Sequence, residues 1–233
     1  MKKNAFASVL DFLGLVWTNL TVKVRNLIDF VKVIFRYYSH WSFCKADLAL
    51  LLSYLFDNPY TISKRFLMNK GEENVYAYGE TPLTTLEYIA EECQIKPSDT
   101  VFELGCGRGR GCFWLRAFIK CKVVGLEYVP DFVERALRVK KKFSVEGIEF
   151  YQKDILEADY ASATVIYMYG TCFEAEFIQE LIGRFKGLRS GTKIITVSYP
   201  LTDYMEEPIF EVMKRFPARF TWGEADVYLQ IKK

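Results

Sequence analysis

The sequence predicts an α/β fold: a mostly parallel sheet with helices on both faces and an antiparallel edge, preceded by an N-terminal helical segment. Three observations carry this. Short apolar runs alternate with amphipathic stretches of helical period from residue 82 onward. The first such run opens directly into a glycine-rich turn, "VFELGCGRGRG". The closing segment is β-rich and follows the alternating series, which suits an antiparallel edge.

The elements follow in order. "LTTLEYIAEECQI" reads as a helix, "TVFEL" as a strand, "GCFWLRAFIKC" as a helix and "KVVGLEY" as a strand. "DFVERALRVKKKF" is a helix, and "IEFYQKD" and "ATVIYMY" are strands. "EAEFIQELIGRFKGL" is a helix, "GTKIITVSY" a strand and "EEPIFEVMKRF" a short helix. "RFTWGEADVYLQI" is a strand or hairpin. A chain of 233 residues suits one domain with an appendage.

The appendage is residues 1–70, ahead of a main domain at 71–233. Phe6, Leu10, Leu13, Trp17 and Leu20 recur at helical spacing, as do Leu27, Ile28, Val31, Ile34, Phe35 and Tyr38. "DLALLLSYLF" makes a third apolar segment, stopped at Asn58-Pro59. These 70 residues hold ten Lys/Arg against four Asp, a net of +6, while the remainder holds 21 against 25, a net of −4. A basic helical segment of this kind either caps the main domain or docks on an anionic membrane surface. No run of about 20 uncharged apolar residues is present to span a membrane.

Composition narrows the chemistry. A net charge of +2 does not point to a nucleic-acid partner. Six scattered cysteines without C-x-x-C, and no signal peptide, are expected of reduced thiols in a cytoplasm-like compartment, with peripheral membrane association if the basic helices dock. His40 is the only histidine and reads as a packing or surface residue. Metal sites and imidazole-activated nucleophiles need more than this, so no metal is expected.

The glycine turn therefore carries the function. Its spacing departs from G-x-G-x-x-G, because Arg110 stands where a third glycine is required. What remains is E-x-G-x-G-x-G, with Glu103 placed to take a ligand ammonium and Gly105 and Gly107 letting its chain pass close to the backbone. Glu127 ends the second strand, about 20 positions on, where an acid holds ribose hydroxyls. Asp154 follows the third strand, where a carboxylate can accept from an exocyclic amine. An amine, a ribose and an adenine without phosphate describe S-adenosylmethionine (SAM).

On these residues the chain resembles class I SAM-dependent methyltransferases, and within them the Dot1 type of protein-lysine methyltransferase. The family's Y-G-E-T appears as Tyr78-Gly79-Glu80-Thr81, followed by a helix and the glycine strand. The 163–201 region and "FTWGEADVYLQI" are similar to its later segments. The resemblance implies a Rossmann-like, seven-stranded sheet and SAM as cofactor. It implies that Tyr78 and Thr81 close over the cofactor, with Tyr167 beside them, and that Glu103, Gly105, Gly107, Glu127 and Asp154 hold it. Trp222 and Tyr228 would line an apolar channel for the acceptor, and Tyr169 stands with them as a catalytic candidate. The family's paired asparagines are Tyr169-Gly170 here, and its Gln after the glycine loop is Arg110. Both departures fall near the transferring methyl. Three readings stay open: protein-lysine methylation, methylation of a small molecule or lipid at a membrane surface, and SAM binding without turnover.

Overall fold

Val101 and Phe102 are neighbours in one strand, yet they pack into different hydrophobic cores. The same split separates Val165 from Ile166, and Ile194 from Ile195. Successive side chains of a strand face opposite sides, so these apolar runs build a sheet buried on both faces. The computed structural model describes Thr21, Val24 and residues 27–76, 78–171 and 173–233. The apolar repeat at Phe6–Leu20 lies outside the described residues.

The sheet has seven strands in the order β3-β2-β1-β4-β5-β7-β6. They are β1 (Thr100–Leu104), β2 (Lys122–Glu127), β3 (Ile148–Gln152), β4 (Val165–Met168), β5 (Lys193–Val197), β6 (Phe210–Arg219) and β7 (Glu224–Lys232). β1 to β5 run parallel, and β7 enters antiparallel to both β5 and β6. The helices are α1 (residues 27–37), α2 (Trp41–Leu52), α3 (Pro59–Lys70), α4 (Leu83–Glu92), α5 (Arg110–Trp114), α6 (Pro130–Lys142) and α7 (Ala175–Phe185). The order reverses at β1/β4, which puts the ligand crevice beyond the carboxyl end of β1. The seven-stranded, mostly parallel sheet with an antiparallel edge is the fold class expected from the sequence.

Local signals explain most boundaries. Asn58-Pro59, which ends the preceding apolar segment, also opens α3: the Asn58 side chain accepts from Tyr60 N–H at 2.9 Å, with Pro59 at the first helical position. Gly71 closes it at φ 76°. α6 begins at Pro130-Asp131 and ends in Lys140, Lys141 and Lys142, charges that suit its dipole. The segment "GCFWLRAFIKC" is helical as expected, but its second half, Leu115–Ile119, widens into a π turn.

One expected element differs. "EEPIFEVMKRF" is not a helix; its residues from Phe210 form β6. Its apolar residues fit a helical stripe as well as a strand, and the ladder with β7 decides between them. Pro217 is tolerated inside β6 because β6 is the edge strand.

The first core, beneath α1, α2, α4, α5 and α6, unites Tyr37, Phe43 and Leu50 with Leu86, Trp114, Phe132 and Val227. The second, beneath α7, holds Ile178, Leu181 and Phe185 against Ile166 and Met168. Tyr37 Oη donates to Glu87 at 2.8 Å, and Arg36 pairs with the same carboxylate at 2.6 Å, tying α1 to α4. Among the described residues no helix is long and apolar enough to cross a membrane. His40 is exposed, near Ser42 and the Phe118 ring.

Candidate active site

The turn after β1 is pinned before it meets any ligand. The N–H groups of Gly105 and Cys106 both donate to Leu126 O, at 2.9 and 3.0 Å, which fastens the loop onto β2. Gly105, Gly107 and Gly109 all have positive φ, 68°, 55° and 80°. A Cβ built on Gly105 meets no protein atom within 4 Å, so its bare face is open. One on Gly109 would stand 2.7 Å from the Phe150 ring. Gly111 has an ordinary φ but is just as constrained: its Cβ would lie 2.4 Å from Glu103 Oε1. The fourth glycine of the turn thus makes room for the acid.

Four acids converge here. Glu103, 8% exposed, accepts from Cys112 Sγ at 3.0 Å. Burial raises its pKa to about 7 against the Cys112 bond, and the charges of Glu80 and Glu127 push the same way. Glu127 closes β2; Oε2 accepts from Gly107 N–H and Oε1 from Val129 N–H, both at 2.8 Å. Burial raises its pKa while these amides oppose the rise. Asp154 accepts from Leu156 N–H at 2.9 Å, which fixes the short turn after β3. Glu80 behaves differently. Burial pushes it up, but Arg108, donating from Nε at 2.8 Å and Nη2 at 2.5 Å, holds its pKa at about 2. Tyr78 Oη also donates to Glu80, at 2.7 Å.

Two adjoining cavities collect these groups. Tyr78, Gly105, Gly107, Glu127, Asp154 and Tyr169 line a cleft of about 450 Å³. Thr81, Glu103, Gly105, Arg110, Tyr167 and Tyr169 line a small cavity of about 20 Å³ beside it. Gly79, Leu104, Gly105 and Tyr169 belong to both. The hydroxyls of Thr81 and Tyr167 share a hydrogen bond of 2.5 Å. Tyr169 Oη accepts from Trp222 Nε1 at 2.5 Å, and Phe220 stacks on Trp222 at 5.6 Å and packs on Tyr169 at 5.4 Å. Tyr228 stands apart from both cavities: it lies in β7 opposite Thr196 and Arg215, with the Arg215 guanidinium 5.7 Å from its ring.

Several participants escaped sequence reasoning. Glu80 and Arg108 brace the turn from inside the Y-G-E-T motif and the glycine loop. Gly79 is required because a Cβ there would lie 2.8 Å from Tyr169; Tyr169 thus explains the glycine of that motif. Asp47, on α2, pairs with Arg110 and had no local signal at all. Among the described residues no group of three or more His, Cys, Asp or Glu is placed to hold a metal.

The cleft suits an extended ligand of nucleoside size. Gly105 offers an open backbone face, and the buried acids Glu103 and Glu127, both with raised pKa, favour a cationic ligand over an anion such as pyrophosphate. SAM, with an ammonium and a sulfonium, fits this donor set.

The sheet order and this crevice define a class I SAM-dependent methyltransferase domain, with SAM as its cofactor. A methyltransferase-domain family model matches residues 95–223, and the chain belongs to that family. It is similar to a histone-lysine N-methyltransferase, H3 lysine-79 specific, from Dictyostelium discoideum, 34% identical over 137 residues, 52% of this chain and 7% of that protein. It is also similar to phosphoethanolamine N-methyltransferase 3 of Arabidopsis thaliana, 31% identical over 130 residues, 54% of this chain and 25% of that protein. The chain thus spans only a minor part of each of these relatives. An RNA methyltransferase from Salinibacter ruber, solved with S-adenosylhomocysteine, superposes with a TM-score of 0.53 at 25% identity, over 66% of this chain and 94% of that one.

Proposed function

We propose that the protein is a Dot1-like methyltransferase that transfers a methyl group to a lysine side chain of a protein. The observation that carries this is the aromatic cluster of Tyr169, Phe220 and Trp222, in which Tyr169 lines the small cavity next to Glu103 and Phe220 and Trp222 pack behind it. When bound, SAM supplies an activated methyl on a sulfonium. The chain's residues then have to hold and align. Asp154 takes the adenine amine, Glu127 the ribose hydroxyls, and Glu103, Gly105 and Gly107 the amino-acid end. Tyr78, Thr81 and Tyr167 close over it.

A lysine must reach the site without its proton. Aromatic walls disfavour the ammonium by desolvation, and a nearby cation adds to this. Burial pushes the phenol of Tyr167 far above its ordinary pKa, so it serves as a neutral hydrogen-bonding group rather than a base. Alignment then supplies most of the rate, and Tyr169 and Trp222 are proposed to guide the acceptor. The Dictyostelium relative's name supports a lysine acceptor, and the Arabidopsis relative's name supports a small one as the second reading. The third is SAM binding without turnover. Labelled-methyl transfer from SAM into lysate, fractionated into protein, lipid, nucleic acid and small molecules, tests all three. We expect label on protein lysine; label confined to lipid or small molecules, or no label, overturns the first reading.

For residues 1–70 we propose peripheral docking on an anionic membrane, from a cytoplasmic position. Phe35 on α1, Leu52 at the end of α2, and Leu55 and Phe56 in the bend before α3 are 83%, 64%, 66% and 95% exposed, in a segment of net positive sequence. Binding to vesicles containing anionic lipid should fall as salt rises, and Leu55→Asp with Phe56→Asp should abolish it. No binding at low salt would leave these helices as a cap alone.

A further inference from the structure

Asp47 is a charged residue in the wrong place for a surface helix. It lies on α2, outside the matched stretch 95–223, and is 1% exposed. Its carboxylate takes a two-pronged grip from Arg110, with Nε on Oδ1 at 2.7 Å and Nη2 on Oδ2 at 2.8 Å. Tyr38 Oη donates to Oδ2 as well, at 2.9 Å. A buried ion pair is weak support for stability, since apolar residues of similar volume commonly do as well or better. Its value here lies in where it holds Arg110.

Arg110 opens α5 directly behind the glycine turn and lines the small cavity together with Glu103, Thr81 and Tyr167. Asp47 engages Nε and Nη2; Nη1 has no hydrogen-bond partner among the described residues. One cavity therefore presents an anion, Glu103, and a guanidinium with donors to spare. That pair matches a zwitterion: an ammonium for Glu103 and a carboxylate for Arg110, whose planar donors suit a carboxylate. A free Arg110 could instead turn toward the surrounding acids Glu80 and Glu103, and Asp47 prevents this.

We propose that Asp47 is a positioning residue for the cofactor's amino-acid end, acting by holding Arg110 toward the methionine carboxylate. The inference rests on the cofactor placement given above, and it makes the N-terminal helices part of the cofactor site.

The test is titration calorimetry of the full chain with two ligands. S-adenosylhomocysteine carries the amino-acid end; 5′-methylthioadenosine has the same nucleoside without it. Asp47→Asn and Arg110→Gln should each weaken S-adenosylhomocysteine about ten- to a hundredfold. Binding of 5′-methylthioadenosine should stay within about twofold. The double variant should lose little more than either single one, because both act through one contact. Unchanged S-adenosylhomocysteine affinity, or equal loss for both ligands, overturns the proposal; equal loss marks a merely structural role. Should Asp47→Asn not fold alone, Asp47→Leu with Arg110→Met removes both buried charges together and carries the same comparison. Glu127→Ala separates the premise: if it leaves both ligands unaffected, the placement is wrong and this inference falls with it. If it weakens both while Asp47→Asn weakens neither, the placement stands and only the role of Asp47 is refuted.

Discussion

If Glu103 holds the cofactor's ammonium as proposed, cofactor binding depends on pH in a definite direction. Its pKa lies at about 7 rather than 4.5, chiefly because it is buried. Holding its charge in the free protein therefore costs about 3 kcal/mol relative to water. Since its folded pKa exceeds the unfolded one, the folded chain keeps a proton between about pH 4.5 and 7 that the unfolded chain releases. From this group alone, stability is greatest below pH 4.5, falls through that window by up to about 3 kcal/mol, and is level above pH 7. On the placement proposed above, the cofactor's ammonium demands the ionised form. Below pH 7 part of the binding energy goes into removing the proton, so affinity should drop about tenfold at pH 6 and about thirtyfold at pH 5.5, relative to pH 8. Calorimetric titration with S-adenosylhomocysteine across pH 5.5–8 measures this. Glu127 is shifted in the same direction, so Glu103→Gln assigns the step: it should bind weakly throughout, with most of the pH dependence gone, and unfold at higher temperature than the parent near pH 8. Affinity that is flat or rises toward acid, or a Glu103→Gln profile as steep as the parent's, would refute the assignment.

Three substitutions test the packing and the charge around the turn. Gly111→Ala should lower the melting temperature by about 2–5 °C, because crowding of Glu103 outweighs the helical preference of alanine, whereas Gly183→Ala on α7, with open space at its Cβ, should raise it. Arg108→Gln strands the Glu80 carboxylate and should cost about 3–5 kcal/mol in urea denaturation at pH 7. The penalty should shrink toward pH 3. Glu80's pKa is held near 2, so its pairing contributes above about pH 4.5 and is lost as pH falls toward 2.

Much of this architecture was legible in the sequence. β1 to β5 read correctly because parallel strands buried on both faces are near-continuous apolar runs, and their boundaries carry glycine, proline or charge. Glu103, Glu127 and Asp154 could be picked out because the end of a strand is a position that sequence reveals. β6 could not be, since Phe210 to Phe216 satisfies two periods and only the neighbouring β7 chooses. Tyr228 was beyond reach for a related reason: Val227 packs in the first core, and a shift of one residue along a strand sends a side chain to the opposite face. The Asp47–Arg110 pair joins positions 63 apart through a packing of helices on which no motif or repeat reports.

The sheet order also governs how the chain must be made. Among the described residues β6 pairs with β7 alone, and β7 fills the place between β6 and β5. During synthesis β6 therefore emerges before any strand it can join, a ten-residue segment with open hydrogen-bonding edges on both sides. It carries Phe210, Val212, Met213 and Phe216, so for that interval it is a site where nascent copies could adhere to one another. Charged neighbours Glu211, Lys214 and Arg215, and Pro217, interrupt the run and blunt that tendency. The arrival of β7 ends the interval by completing both ladders in one step, and the same step sets Phe220 and Trp222 against Tyr169. The aromatic wall and the protection from aggregation are therefore acquired together, late, and any change that slows the docking of β7 exposes the chain as it delays the enzyme.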